Sequence, residues 1–366
     1  MWAAHCAPTC GRVSRYPRIG ICFEIPLEGQ FPFSAVWDRI DGVQRDHSYW
    51  LRLIRLALVG LIAGALGATV GLGLLSSARY AHGLTHPGCA DTGTTPADVG
   101  IAGAQDVAYT GHDGLTLQAW YVPPQNGAAI VVLPGLGGGR DGMLREGAIL
   151  ARHGYGLLLT ELRSCARADG QTTLGYREAD DLVEAVTWLR GQPGVEHVGV
   201  LGYSLGGVTA TLGAARDERI EAVVAEGGFH DLVADITNEG TPKPIWESLF
   251  YQGIVLFFRW ETGIDAHDIR PIAVIDRIAP RPLLLIYGEL EAAETHPQEQ
   301  QARAGETAEL WIVPGCWHGG YLEVAPQEWE QRVVTFFDRA LGAGTSPAFK
   351  PTLEVTAQIT LPQVRE

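Results

Sequence analysis

An α/β architecture is what this sequence predicts: a mostly parallel sheet with helices on both faces and a cap insertion, preceded by one transmembrane helix. Three observations carry that expectation. Short apolar runs alternate with helix-period segments from about residue 105 to 341; a Gly-x-Ser-x-Gly pentapeptide joins one such run to a helical one; and Leu56–Leu75 is a run of 20 residues without a charge, ahead of them all.

The elements follow in chain order. QDVAYT and LTLQAWYV flank His112-Asp113-Gly114 and read as an opening hairpin. AIVVLP, GLLLTEL, HVGVLGY, IEAVVAE, PLLLIY and ELWIVP are near-continuous apolar runs, the pattern of strands buried on both faces. Arg177 to Arg190 places Leu182, Val186 and Leu189 on one helical face. Gln327 to Leu341 turns Trp329, Val333, Phe336, Phe337 and Ala340 inward in the same way. About 50 residues between IEAVVAE and PLLLIY, rich in aromatic side chains, are expected to form the cap, at about 229–270.

With 46% hydrophobic residues in a chain of 366, most of the sequence has enough apolar surface to fold. The net charge of −15, with Lys243 and Lys350 as the only lysines, argues against a nucleic-acid partner. Charge is uneven: residues 1–55 hold seven Arg against five acids, and residues 79–366 hold 20 basic against 37 acidic residues. A boundary is expected between them.

As a helix, Leu56–Leu75 rises about 1.5 Å per residue and matches the roughly 30 Å hydrocarbon core of a bilayer. Arg45, Arg52 and Arg55 precede it and only Arg79 follows closely, so the N-terminus is expected in the cytoplasm and the large domain on the other side. The domain reading is therefore an N-terminal tail (1–50, a loose tail or a start placed too far upstream), an anchor (51–79), a linker (80–104), a catalytic domain (105–341) and an irregular C-terminal tail (342–366). Cys89 and Cys165 could pair if the domain is exported, but are read as ordinary thiols. No Cys-x-x-Cys and no histidine spacing suited to zinc is read, and no metal or organic cofactor is expected.

HVGVLGYSLGGVTA is a strand-like run, then Gly202-Tyr203-Ser204-Leu205-Gly206, then a helical run. The turn is so sharp that side chains at 202 and 206 would collide, hence glycine, and the corner lifts the Ser204 hydroxyl out at the C-terminal edge of the sheet. A serine hydroxyl is a weak nucleophile near neutrality and needs a base, itself held by an acid. His318, in GCWHGG after ELWIVP and before the last helix, has the position for the base. The other histidines, His82 and His86 among them, are read as structural or solvated. The acid belongs on the loop after PLLLIYG, where Glu291 is preferred and Glu289 and Glu294 are alternatives. The backbone N–H of Leu205, and that of Leu136 in Gly135-Leu136-Gly137-Gly138-Gly139, are the expected oxyanion donors. That glycine loop fails as a dinucleotide site, because Arg140 replaces the final glycine. Tyr203, Trp246, Phe250 and Trp317 are the expected substrate contacts, and an aromatic cap points to an acyl or otherwise hydrophobic substrate group, on a small-molecule or acylated substrate.

Taken together, VVLPGLGG, ARHGYGLLLTELR, VGVLGYSLGG, APRPLLLIYG and VPGCWHGGY resemble the α/β-hydrolases, in particular membrane-anchored or secreted serine hydrolases of the acyl-protein-thioesterase-like and prolyl-oligopeptidase-like branches. The resemblance implies Ser204, Glu291 and His318 as a triad, Leu136 and Leu205 as oxyanion donors, and cleavage of a carboxylic ester or thioester through an acyl-enzyme. A peptidase, or a silent binding protein on the same scaffold, is the alternative. Two departures stand out. Glutamate occupies the position where Asp is usual, and Glu161–Arg167 lacks the usual Asp-x-Arg-Gly-His-Gly-x-Ser loop.

Overall fold

The computed structural model describes residues 47–238 and 240–342; the expectations for the two tails fall outside them. Helix α1, His47–Thr85, contains the apolar run and extends it on both sides. The chain divides inside this helix, into Met1–Gly67 and Ala68–Glu366. In the first unit the described residues are helical, with large apolar side chains such as Leu56, Leu61 and Leu66 exposed.

The second unit is built on one eight-stranded sheet in the order β1-β2-β4-β3-β5-β6-β7-β8. Its strands are β1 (Gln105–Thr110), β2 (Thr116–Val122), β3 (Ala128–Leu133), β4 (Gly156–Thr160), β5 (His197–Tyr203), β6 (Ala222–Glu226), β7 (Leu283–Gly288) and β8 (Ala308–Val313). β1 and β2 correspond to the expected hairpin and β3 to β8 to the six apolar runs. β1 and β2 form the antiparallel hairpin around His112–Gly114, β2 pairs antiparallel with β4, and every pairing from β4 to β8 is parallel. Residues of β3, β4, β6 and β7 are buried throughout, as strands covered on both faces must be.

Helices α2 (Leu144–Arg152), α3 (Tyr176–Arg190), α4 (Leu205–Ala214), α5 (Leu232–Thr237), α6 (Ile245–Thr262) and α7 (Pro326–Leu341) cover the sheet or form the cap. One core layer gathers Leu182, Val186, Leu189, Val208 and Phe258; the other gathers Leu150, Trp329, Val333, Phe336 and Phe337. The helix face read around Leu182 and the one read around Trp329 are thus buried on opposite sides of the sheet.

The start of the segment expected to be a linker, with the end of the expected anchor, is packed instead. Residues 80–85 continue α1, Ala81 is fully buried, and Ser77 donates a 2.8 Å hydrogen bond to the Phe250 carbonyl of α6. Gly253 makes this approach possible, since a Cβ there would lie 2.6 Å from the Ser77 hydroxyl. Cys89 and Cys165 are joined in a disulfide, which corrects the reading of them as free thiols. The chain folds back at this point: the N–H of Ala90 donates to the Gly137 carbonyl at 2.7 Å. Among the described residues Cys316 is a free cysteine, and it is buried.

Candidate active site

Ser204 stands between β5 and α4 with φ 54° and ψ −115°, a strained corner that a non-glycine residue adopts only when its surroundings enforce it. The enforcement is steric. A Cβ on Gly202 would lie 2.1 Å from the Gly206 carbonyl oxygen, and one on Gly206 would lie 2.3 Å from the Leu133 oxygen. The backbone is closed by the Ser204 N–H donating to the Glu226 carbonyl at 2.6 Å.

The loops after β7 and β8 bring the other two expected groups to this corner. His318 Nε2 lies 2.8 Å from Ser204 Oγ, and His318 Nδ1 lies 2.7 Å from a Glu291 carboxylate oxygen. The second Glu291 oxygen accepts the Gly288 N–H at 2.7 Å and the Tyr321 hydroxyl at 2.5 Å. Burial raises the Glu291 carboxyl, but the hydrogen bonds from His318, Gly288 and Tyr321 outweigh it and hold the group below its ordinary value. The carboxylate is only 4% exposed, so it faces His318 as an anion shielded from water. Glu289 is directed elsewhere, accepting the Gly315 N–H at 2.8 Å; Glu294 lies on the short helical turn that follows Glu291.

Tyr321, one turn beyond His318, escaped the sequence reading as a site residue. Burial, and then the Glu291 carboxylate that its hydroxyl meets, drive its phenol strongly upward, so it stays a proton donor. Gly227 was missed for a different reason, because its role is to be absent: at φ +65°, a Cβ there would lie 2.7 Å from His318 Cε1 and 2.7 Å from the Tyr321 hydroxyl. Neither spacing nor periodicity marks it beyond the Gly-Gly pair that ends β6.

Of the expected oxyanion donors, Leu205 begins α4 and is buried, while Leu136 is 41% exposed on the loop after β3. That loop abuts the serine: a Cβ on Gly135 would be 3.4 Å from the Ser204 Cβ. The disulfide lies behind it. A Cβ on Gly139 would lie 3.7 Å from Cys89 Sγ, and one on Gly137 would meet Pro87 and the Gly88 carbonyl at 3.3 Å.

The expected substrate contacts divide. Tyr203 stacks against His318 with ring centroids 5.2 Å apart, and Trp317, next to His318, is 63% exposed. Trp246 and Phe250 both lie on α6, where Trp246 is 71% exposed and Phe250 packs edge-on against Tyr80 of α1.

Tyr203, Gly319 and Tyr321 also border a cavity of about 320 Å³, whose wall includes Met143, Glu146, Glu226 and Glu323. Burial raises Glu146 to about 7, and burial together with Glu146 drives Glu226 well above its ordinary value although Trp329 Nε1 donates to it at 2.5 Å. At the degraded loop, Arg163 is buried and grips Asp181 of α3 through Nε and Nη2, each at 2.9 Å, so this wall is held by an ion pair.

The sequence profile of the X-Pro dipeptidyl-peptidase (S15 family) matches residues 76–259, half of the chain. The chain belongs to this family. It is 33% identical over 149 residues to the polyketide transferase grgF of Penicillium sp, an alignment covering 39% of this chain and 50% of that protein. To the thiohydrolase aneE of Aspergillus aculeatus it is 29% identical over 127 residues, 33% of this chain and 40% of that one. The chain therefore spans half or less of the length of these curated relatives. Among solved structures it is similar to a Pyrococcus furiosus esterase, Pf2001, with a TM-score of 0.56 at 23% identity over 71% of this chain and 99% of the other. It is also similar to the α/β-hydrolase GrgF from Penicillium sp. sh18, with a TM-score of 0.51 at 22% identity over 65% and 99%. These likenesses establish the α/β-hydrolase fold, and the family is one of hydrolases.

Proposed function

We propose that this protein is a membrane-tethered serine hydrolase that cleaves a carboxylic ester or thioester through an acyl-enzyme. The observation that carries the reading is the unbroken chain from Ser204 Oγ to His318 Nε2 at 2.8 Å and from His318 Nδ1 to Glu291 at 2.7 Å. In this reading Ser204 Oγ attacks the acyl carbon as His318 takes its proton. Glu291 stabilises the imidazolium, and the N–H groups of Leu136 and Leu205 receive the charge that develops on the carbonyl oxygen. His318 then protonates the departing alcohol or thiol, and water, deprotonated by the same imidazole, releases the acid.

A thiol or alcohol leaving group is favoured over an amine by the similarity to the thiohydrolase aneE and to an esterase of the same fold. The family match supports a second reading, removal of an X-Pro dipeptide by the same triad. The anchor reading draws on α1, whose apolar stretch is exposed, and on the arginines that precede it. The Cys89–Cys165 disulfide supports an oxidising compartment for the catalytic domain and hence an N-terminus in the cytoplasm.

Labelling by a fluorophosphonate, lost in Ser204→Ala, is the expected result; a folded wild type that does not label favours a silent scaffold. p-Nitrophenyl esters of rising chain length, run beside Ala-Pro-p-nitroanilide, separate the enzymatic readings: faster turnover of the anilide would overturn the esterase assignment.

A further inference from the structure

His82 and His86 stand four residues apart where α1 ends, and the end of α6 brings Glu261 against them. The two imidazole rings stack with centroids 4.2 Å apart. Both turn Nδ1 toward the same carboxylate, His82 at 3.3 Å from Oε1 and His86 at 3.6 Å from Oε2. Those separations are longer than the 2.7–3.2 Å of an ordinary N–H···O bond. They fit a different arrangement. Nitrogen and oxygen ligands about 2.0–2.2 Å from a tetrahedral zinc ion lie roughly 3.3–3.6 Å from one another, the separation of these two nitrogen–oxygen pairs; the three ligand atoms as a set lie within 4.8 Å, so an ion would draw them closer.

Thr85 donates its hydroxyl to Glu261, and the Thr85 hydroxyl lies 2.9 Å from His86 Nδ1, a contact that an ion would replace. The backbone around these groups is held by contacts that do not involve the ligand atoms. Gln171 Nε2 donates to the Glu261 carbonyl at 3.1 Å, and the N–H of Thr172 donates to the Thr85 carbonyl at 2.8 Å. His86 and Glu261 are mostly buried, while His82 is 63% exposed and leaves one side open to solvent. Two neutral imidazoles and one carboxylate, with an open position for water, form a donor set suited to zinc and related borderline divalent ions.

We propose that His82, His86 and Glu261 bind one zinc-class divalent cation, which clamps the end of the anchor helix to the end of the cap helix. The assignment goes beyond the hydrolase reading and does not depend on it.

The test uses untagged full-length protein in detergent, stripped with EDTA and titrated with zinc chloride in a calorimeter. One equivalent is expected to bind with a dissociation constant in the micromolar range or below, with the thermal midpoint rising by a few degrees, about the effect of a ligand present well above its dissociation constant. His82→Ala and Glu261→Gln should each weaken zinc binding at least tenfold. Their circular dichroism and their fluorophosphonate labelling should match the wild type, which separates loss of the ion from loss of the fold. A wild type that binds no stoichiometric zinc, or a folded His82→Ala that binds it as tightly as the wild type, overturns the assignment. Equal affinity for calcium does so too, because that ion calls for a shell of oxygen ligands.

Discussion

Glu291→Asp is the substitution that tests the site most sharply, because it installs the acid that the family resemblance leads one to expect. Shortening the side chain by one methylene withdraws the carboxylate by about 1.5 Å along the chain. The 2.7 Å contact to His318 Nδ1 would open to about 4 Å, and the contacts to the Gly288 N–H at 2.7 Å and the Tyr321 hydroxyl at 2.5 Å would be lost with it. At 4% exposure there is little room for the loop to follow, or for water to replace the missing oxygens. Loss of a charge-assisted hydrogen bond costs about 1.5–3 kcal/mol, which is about 10- to 150-fold in rate at 1.4 kcal/mol per decade. The expectation is a fall of that size in kcat/KM for p-nitrophenyl butyrate, carried mainly by kcat, with Ser204 still reacting slowly with fluorophosphonate. Glu291→Gln should be worse, about 10⁴-fold, because an amide facing Nδ1 favours the wrong imidazole tautomer. An aspartate variant within twofold of wild type would show that the contact in the structure does not orient the base.

Gly227→Ala puts a methyl carbon 2.7 Å from His318 Cε1 at a backbone φ of +65°; a misplacement of about 1 Å costs about 100-fold, so kcat/KM should fall by that order while circular dichroism stays native. Cys89→Ala with Cys165→Ala opens a cross-link between residues 76 apart and should lower stability by about 2–4 kcal/mol, read by urea denaturation of the full chain; an unchanged midpoint refutes it. Glu146, raised by burial from 4.5 to about 7, binds its proton more tightly folded than unfolded. Its contribution is fully present below pH 4.5 and is lost as the pH rises toward 7, at a slope of at most about 1.4 kcal/mol per pH unit. The thermal midpoint should therefore fall across that window, and Glu146→Gln should flatten the fall; parallel profiles for the two proteins would refute the assignment.

The sheet was legible because strands covered on both faces must be apolar, and the runs of β3 to β8 had that character, while β1 and β2 were legible as a hairpin around His112-Asp113-Gly114. The corner at Ser204 was legible because its sterics forbid side chains at 202 and 206. Glu291 was preferred over Glu289 and Glu294 from its place on the loop, but the hydrogen bonds from Gly288 and Tyr321 that hold its carboxylate leave no trace in residue spacing. The contact of Phe250 with Tyr80 was not legible, because an aromatic helix facing a pocket and one facing another helix have the same period. The disulfide and the His82–His86–Glu261 cluster share another cause: each joins residues far apart in sequence, through segments whose packing no local pattern reveals.

The fold-back at residues 86–90 sets the smallest piece of this chain that can be cut out intact. A truncation at residue 105 would keep every strand and Ser204, Glu291 and His318, yet strip Pro87 and Gly88 from behind Gly137 and leave Cys165 without its mate. It would also uncover the α6 surface on which Ser77 rests. A soluble version for crystallisation or screening should therefore start close to Ser76, retaining the last turns of the long helix as part of the hydrolase itself.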